Sequence, residues 1–340
     1  MDFGLTDEQQ QLADSERSWL ARHDQIARVR QTLNVAEVRV DPAAVQHAAA
    51  SGLLALLTPE VGGTHSDLGV LSEADGYAAS SLPVADLALA VWLLGQAGLS
   101  ECGTAAEGGL LVGLARAPIA NTGSGGAGLR GRSSPVPMAA DMAAIAVVGA
   151  THDGEYMTLA RDPAVVGMRT LDLTRSWAYL DLDARTGRAA RLPTGTLRYL
   201  HDALAVHRSL DALGAAARLF EMTVTYAGQR QQFGAPIGSF QAVKHHCADM
   251  ALAIEAGRSA LWAAVAALDD APDIPRSRAA SAAAAYAKSA ASRVASTALQ
   301  VHGGIGFTWE HDLHLLLRRI KVDEAFDGTV AQHRAALVTR

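Results

Sequence analysis

The sequence predicts a mainly α-helical protein with a small β domain in the middle of the chain. Apolar residues recur with helical spacing up to about residue 107, and they do so again, more strongly, after residue 195. Between these stretches the chain is rich in glycine, proline and β-branched residues, which is typical of short strands and turns. We therefore expect an N-terminal helical domain (1–107), a middle β domain (108–195) and a C-terminal helical bundle (196–340).

The N-terminal region begins with the pattern of a capping box. Thr6 can accept a hydrogen bond from the backbone of Gln9 while the Gln9 side chain returns to the backbone of Thr6, so a helix is predicted to start here. Helical spacing continues to about residue 57 and stops at residues 58–63, where proline and two glycines predict a loop. It resumes over residues 68–99.

The middle and C-terminal regions differ in the period of their apolar residues. Residues 144–148 and 178–182 are short apolar runs that predict strands. After residue 195 we expect four helices, whose many small residues allow the close packing of a four-helix bundle. The first ends near Arg230, the second lies between two prolines, and the others cover residues 278–299 and 311–320.

The bulk composition argues against several classes of function. The net charge of −6 does not favour nucleic acid or an anionic membrane as the main partner. Cys102 and Cys247 are too far apart in sequence to form a disulfide framework or a zinc site. Residues 1–5 lack the features of a signal peptide, and the most apolar runs, such as residues 51–57, are too short to span a bilayer. We expect a cytoplasmic protein with reduced thiols.

Two motifs that suggest other chemistry lack the context they need. Residues 123–128 match G-x-G-x-x-G, but the following Leu-Arg-Gly-Arg-Ser-Ser-Pro cannot open a helix, so we interpret them as a loop. Adjacent His245 and His246 would point to different helix faces, and His311 and His314 lack the H-E-x-x-H constellation. We expect no metal site.

Two segments of the C-terminal region carry the chemistry. Residues 230–237 read Arg-Gln-Gln-Phe-Gly-Ala-Pro-Ile, and a guanidinium such as that of Arg230 can hold a pyrophosphate through two hydrogen bonds. The alternative for Arg230 is a cation at the negative end of a helix dipole. In residues 300–311, three glycines follow Gln300 within six residues, whereas a helix C-cap needs only one. The extra glycines indicate close approach of another group to the backbone.

These two segments resemble the C-terminal signature of the acyl-CoA dehydrogenase family. The resemblance extends over most of the chain, because residues 53–63 resemble the family's N-terminal helical domain and residues 129–141 and 171–175 its β domain. It implies the cofactor FAD, held mainly by a neighbouring subunit and contacted across the interface. The residues that match the FAD-contacting positions are Arg230, Gln232, Phe233, Phe240, Gln241, Gln300, Gly303 and Gly304.

The resemblance also implies a carboxylate that removes the α-proton of an acyl-CoA thioester. Asp327 matches the position where many members carry glutamate in a Tyr-Glu-Gly-Thr element, and a solvated turn residue before Gly328 is the open alternative. The other base position known in the family falls on Leu204, which cannot act as a base. Residues 114–121 and 133–136 depart from the family's flavin-covering and flavin-holding segments.

By this resemblance we expect an FAD-dependent acyl-CoA dehydrogenase subunit that desaturates an acyl-CoA thioester and passes electrons to an external acceptor. The shortened β domain is similar to that of one chain in members that are heterotetramers of two unlike chains. Bulky, sterol-derived thioesters, as in steroid degradation, are the implied substrates. A self-sufficient homotetrameric dehydrogenase and a non-catalytic structural subunit remain as alternatives.

Overall fold

The computed structural model describes residues 4–23, 25–33, 37–118, 129–182 and 188–338 of the chain. The first 106 residues hold six helices within these ranges. They begin with the predicted capping box, in which the Thr6 backbone N–H donates to Gln9 Oε1 and the Gln9 N–H donates to Thr6 Oγ1, each at 3.2 Å. The helices are α1 Asp7–His23, α2 Gln25–Thr32, α3 Pro42–Ala50, α4 His65–Ala78, α5 Val84–Gln96 and α6 Glu101–Ala106.

The predicted helix up to residue 57 is wrong, because α3 ends at Ala50. Gly52 follows with φ +70°, a left-handed conformation that breaks the helix and that glycine adopts without strain. Leu53 and Leu54 after it are buried in the core, so the apolar spacing there reflects a packed turn. The predicted helical stretch over residues 68–99 consists of two helices, α4 and α5. The first of them ends at Ala79, where φ is 56°.

The middle of the chain forms two small sheets. One sheet has the order β1-β4-β5-β8, with β1 and β4 parallel and the other pairs antiparallel. In the other, β7 pairs with β2, β3 and β6, all antiparallel. Both predicted strands are confirmed within β4 and β7. The strands are β1 Val112–Arg116, β2 Gly131–Arg132, β3 Val136–Pro137, β4 Ala144–Thr151, β5 Gly154–Arg161, β6 Val165–Met168, β7 Trp177–Leu182 and β8 Arg188–Arg191.

The glycine-rich residues 123–128, interpreted above as a loop, lie outside the described residues. The segment before them ends with β1 and Pro118, and the segment after them leads into β2.

The C-terminal region is the predicted bundle, in which α7 packs against α8, α9 and α10, and also against α4 of the first region. A short hairpin of β9 and β10 connects α7 to α8. The sequence did not predict the last helix, α11, which is only nine residues long. The elements are α7 Thr196–Gln229, β9 Gln231–Gln232, β10 Ala235–Pro236, α8 Gln241–Asp270, α9 Asp273–His302, α10 Leu313–Ala325 and α11 Val330–Val338.

Helix α8 corrects the expectation that no apolar run is long enough to span a bilayer. By length and composition alone, this helix of 30 residues could cross a membrane. The core helix of a soluble protein passes the same test, and the buried face of α8 packs against α7 and α9. This observation is therefore weak evidence for a membrane.

Candidate cofactor edge and candidate base site

The two C-terminal motifs lie at the same end of the bundle. Arg230 directly follows α7, and Gln300 belongs to the last turn of α9. Helices α7 and α9 run in the same direction because α8 returns between them. The ring of Tyr226 stacks on that of His302, with centroids 4.5 Å apart, so the two helix ends are in direct contact. Residues 230–241 and 300–309 therefore form one surface, the motif edge.

A tight hairpin presents Phe233 at the motif edge. Gln232 pairs with Ala235, and Phe233 and Gly234 between them have φ values of 53° and 79°. Positive φ at both central residues is the geometry of a two-residue hairpin turn, which asparagine or glycine adopts more easily than phenylalanine. The Phe233 side chain is nonetheless 95% exposed. Since neither packing nor backbone preference within the chain favours a phenylalanine here, its role points to a group outside this chain.

The glycines after α9 give the motif edge an open backbone. Gly303 has φ +60° and ends the helix, which explains that glycine locally. Gly304 has no such constraint, and a Cβ atom added to it would meet nothing within 4 Å. The fold of this chain alone does not require a glycine at residue 304. Close approach of an external group to the backbone is the physical reason that remains.

The polar side chains of the motif edge that match FAD-contacting positions face solvent. Arg230, Gln232, Gln241 and Gln300 are all exposed, and Gln241 Nε2 lies 2.9 Å from His245 Nε2. A guanidinium and three amides beside an open glycine backbone can donate hydrogen bonds to phosphate and ribose oxygens. The residues that the sequence assigns to FAD therefore lie together and have the donor chemistry that a dinucleotide needs.

Asp327 lies elsewhere, in a buried ion-pair cluster. Arg116 Nη2 donates to Asp327 Oδ1 at 2.6 Å, and Arg208 Nε donates to Asp327 Oδ2 at 3.1 Å. Arg208 also binds both oxygens of Asp86, at 2.9 and 3.2 Å. The solvated-turn alternative for Asp327 does not describe this environment, because its side chain is 11% exposed. Leu204, at the other base position, is a buried residue of α7.

The charges around Asp327 set its protonation. Burial alone would raise the pKa of this carboxyl, but the positive charges of Arg116, Arg208 and Lys288 outweigh burial and hold the pKa well below its ordinary value. A general base works best when its pKa is close to the working pH. The lowered pKa favours an ionised carboxylate that accepts a proton weakly.

The turn that carries Asp327 is fixed on every side. Lys288 Nζ donates to the carbonyls of Phe326 at 2.6 Å and Gly328 at 2.7 Å. Burial lowers the pKa of Lys288 to about 8 in spite of Asp327 and Asp323 nearby. His333 Nε2 lies 3.1 Å from the Asp327 carbonyl oxygen. Three hydrogen bonds from side chains of α9 and α11 therefore hold the backbone of this turn.

A second buried cluster, which the sequence analysis did not predict, lies farther along α7. Asp211 binds Arg319 through both carboxylate oxygens, at 2.6 and 2.7 Å, and Arg175 Nη1 at 3.0 Å. Burial by itself would raise the pKa of Asp211, but the two arginines lower it below its ordinary range. The available signal was the presence of several polar residues within an otherwise apolar stretch of α7, which predicts buried partners for them. Their partners come from elements distant in sequence.

The motif edge and Asp327 are far apart within one chain. Arg208, which contacts Asp327, lies 22 residues before Arg230, and Lys288, which binds the turn of Asp327, lies 12 residues before Gln300. At 1.5 Å per residue these helix segments are roughly 33 Å and 18 Å long. Asp327 is therefore not part of the motif edge.

The described residues contain no group of three or more histidine, cysteine, aspartate or glutamate side chains arranged to hold a metal ion. His246 is exposed on α8, and His311 packs its ring edge-on against His302 at 4.7 Å. Both cysteines are free.

This order of helical domain, small β domain and helical bundle defines the class of fold, a mainly α-helical protein with a small β region. The sequence model described as "Acyl-CoA dehydrogenase, C-terminal domain" matches residues 197–340. The chain belongs to the acyl-CoA dehydrogenase family, which confirms the resemblance and the predicted fold class.

Two relatives named acyl-CoA dehydrogenase support this membership. The chain is 36% identical over 175 residues to acyl-CoA dehydrogenase IpdE2 of Mycolicibacterium smegmatis, covering 52% of each chain. It is 32% identical over 283 residues to acyl-CoA dehydrogenase FadE34 of Mycobacterium tuberculosis, covering 79% of this chain and 38% of that one. The matches thus span about half or less of these relatives' length.

The fold is shared over nearly the whole chain with two solved structures. For the ChsE4-ChsE5 complex from Mycobacterium tuberculosis the TM-score is 0.85 at 24% identity, covering 99% of this chain and 98% of that chain. For a variant of the Tcur3481-Tcur3483 steroid acyl-CoA dehydrogenase the TM-score is 0.84 at 24% identity, covering 97% and 96%.

Proposed function

We propose that this chain is one subunit of a heteromeric, FAD-dependent acyl-CoA dehydrogenase, and that its motif edge completes the FAD site of a neighbouring subunit. The observation that carries the proposal is the motif edge itself, where Phe233 is 95% exposed in a turn that disfavours phenylalanine and a Cβ atom on Gly304 would meet nothing within 4 Å. A cofactor held by another subunit and bound at this exposed edge accounts for both features.

The residues of the motif edge have separable tasks in this proposal. Arg230 neutralises and orients the pyrophosphate, since a guanidinium fork matches two phosphate oxygens. Gln232, Gln241 and Gln300 donate to the remaining polar atoms, and Gly304 lets the backbone approach closely. When bound, FAD accepts the hydride that leaves the acyl chain in α,β-desaturation.

The two solved structures support an unlike partner. The names ChsE4-ChsE5 and Tcur3481-Tcur3483 each describe two different chains, and one of them is named a steroid acyl-CoA dehydrogenase. By this analogy we propose an α2β2 assembly that acts in the cytoplasm on an acyl-CoA with a bulky, sterol-derived acyl group and reduces a separate electron acceptor. Neither nucleic acid nor a membrane is part of the proposal.

Two other functions fit the family. A self-sufficient homotetrameric dehydrogenase would need a working base in this chain, and the two arginines bound to Asp327 disfavour that. A structural subunit would need no cofactor contacts, so it leaves Gly304 and the exposed Phe233 unexplained.

The test is Arg230→Gln in the chain co-purified with its partner. The substitution removes the charge and the fork, so we expect bound flavin to fall by about tenfold or more at limiting FAD while the subunits remain assembled. Arg198→Gln is the matched control, because this exposed arginine lies at the opposite end of α7, roughly 48 Å from Arg230. Flavin absorbance per assembled complex is the measurement.

Gly304→Ala checks the same edge without changing charge. A methyl group there meets nothing within the chain, so folding is expected to be unchanged while flavin binding weakens. Full flavin content in both Arg230→Gln and Gly304→Ala complexes would contradict the proposal.

A further inference from the structure

Asp327 is the point where the three regions of the chain meet. Arg116 comes from the last position of β1, Arg208 from α7, and Asp86, on the far side of Arg208, from α5. The carboxylate of Asp327 lies between the two guanidinium groups. The N-terminal region and the β domain therefore contribute one charged side chain each, and the bundle contributes two, to a continuous row of hydrogen bonds, which we call the clasp.

The backbone of Arg116 is itself fixed in place. Its N–H donates to Ser134 Oγ at 2.9 Å, and the Ser134 N–H donates to the Arg116 carbonyl at 2.8 Å. Its Nη1 donates to His201 Nδ1 on α7 at 3.0 Å. Because the side chain of Arg116 extends from this fixed strand directly to Asp327, it bridges the space between the β domain and the bundle.

A base in this position needs a carboxylate that is free to approach a thioester α-carbon. Here both oxygens of Asp327 accept from guanidinium groups, at 2.6 and 3.1 Å, and Lys288 and His333 bind the backbone around it. Moving the carboxylate toward a substrate would break its hydrogen bonds to both arginines and leave Arg208, buried beside it, with Asp86 as its remaining hydrogen-bonded carboxylate, which is unfavourable. The turn is therefore built to hold Asp327 still.

We propose that Asp327 is a positioning residue, the centre of a clasp that closes the space between β1 and the bundle in this chain, and not a proton acceptor. This inference rests on the proposed function and extends it, because proton abstraction then takes place at a carboxylate of the unlike partner. It assigns to Asp327, Arg116 and Arg208 the task of fixing the β domain on the helices.

The first test uses the purified chain and compares Arg116→Met, Asp327→Asn and the double variant. We expect the unfolding midpoint to fall by roughly 5 °C or more in Asp327→Asn, since Arg116 and the buried Arg208 each lose an ionised hydrogen-bond partner. Arg116→Met should fall less, and the double variant should be no worse than Asp327→Asn. Amide exchange over residues 326–333 should become faster by roughly tenfold or more in the same variants.

Arg132→Met is the control, because Arg132 and Asp181 form an exposed pair in the same β domain, 3.1 Å apart with side chains 59% and 60% exposed. It should leave both readouts unchanged. Unchanged midpoint and exchange in Asp327→Asn, or additive losses in the double variant, would overturn the clasp.

The second test separates positioning from proton transfer in the assembled complex. Turnover per folded, flavin-loaded complex should stay within about threefold in Asp327→Asn, whereas removing a general base lowers it by about 100-fold or more. Asp327→Glu, which restores the family's usual side chain, should lower the unfolding midpoint without raising turnover. A loss of 100-fold that Asp327→Glu rescues would show that Asp327 is the base. Flavin content, measured on the same samples, reports separately on the motif edge.

Discussion

At the scale of single residues, a buried relay of hydrogen bonds connects four side chains from α4 and α7. Tyr199 Oη lies 2.6 Å from His65 Nε2, His65 Nδ1 lies 2.9 Å from His207 Nε2, and His207 Nδ1 lies 3.0 Å from Ser72 Oγ. Ser72 in turn donates to the carbonyl of Leu68 at 2.8 Å. If each group donates to the next, from Tyr199 to Ser72, every polar hydrogen in the row has one acceptor. Both histidines are then neutral, because a second proton on either ring would sit on the nitrogen that accepts a hydrogen bond from the preceding group.

This relay predicts acid sensitivity. Burial lowers the pKa of His65 from 6.5 to about 4. As the pH falls below 6.5, His65 therefore becomes protonated in the unfolded chain, whereas in the folded chain it stays neutral down to about pH 4. Stability is fully present above pH 6.5 and decreases as pH falls, by about 3 kcal/mol for His65 at pH 4. Burial also lowers the pKa of His207, which acts in the same direction. Unfolding midpoints between pH 7 and pH 4 measure the effect.

His65→Gln should flatten the pH dependence of the midpoint, and His152→Gln, at an exposed turn position, should leave it unchanged. An identical slope in the wild type and in His65→Gln would show that the relay does not control the acid response.

The sequence could predict the motif edge but not these clusters, and the reason is physical. Arg230 and Gln300 belong to two short motifs, and the residues of each motif are contiguous in sequence. The partners of Asp327 come from β1 and α7, 211 and 119 residues away. No local pattern specifies such a pair. The short motif that predicts a base at Asp327 therefore carries no information about the two arginines that neutralise the charge of its carboxylate.

At the scale of elements, α4 and α7 cross at two glycines. A Cβ atom on Gly76 would lie 1.9 Å from the carbonyl oxygen of Asp211, and one on Gly214 would lie 2.0 Å from the carbonyl oxygen of Glu73. Each helix thus packs its glycine against the backbone of the other. This contact joins the N-terminal region to the bundle at a separation that no larger residue allows.

Gly214→Ala should therefore destabilise the chain, by roughly 2–4 kcal/mol, because two helix backbones must move apart. Gly228→Ala in the same helix is the matched control. A Cβ atom there meets nothing within 4 Å, so the substitution should stabilise the helix by roughly 0.5–1 kcal/mol. Thermal unfolding of both variants is the measurement, and equal effects would contradict the close crossing.

Among the elements, those with long periodic patterns were predicted well and short ones were not. The apolar spacing that predicts a helix from Leu213 to Val224 lies within α7, and proline marks both sides of α8. Helix α11 is too short to show a period, and residues 53–57 have helical spacing although they form a packed turn. Tertiary packing, which the spacing of apolar residues does not encode, decides these cases.

At the scale of the whole molecule, the chain divides its functional residues between a surface and an interior. The motif edge is exposed, with Phe233 at 95% and Phe307 at 75% exposure, whereas Asp327 is largely buried between Arg116 and the buried Arg208. An exposed aromatic and polar edge with an open glycine backbone favours binding of an external group. Both carboxylate oxygens of Asp327 are, by contrast, already paired within the chain. This asymmetry is what we expect of a chain that completes its neighbour's cofactor site.

The central claim is tested most directly by the visible absorption spectrum and the flavin-to-protein ratio. They should be measured for the chain purified alone and again after co-expression with an acyl-CoA dehydrogenase chain encoded beside it. We predict little flavin on the chain alone and about one flavin per pair of unlike chains in the complex. Close to one flavin per chain, without any partner, would contradict the account and establish a complete site within copies of this chain.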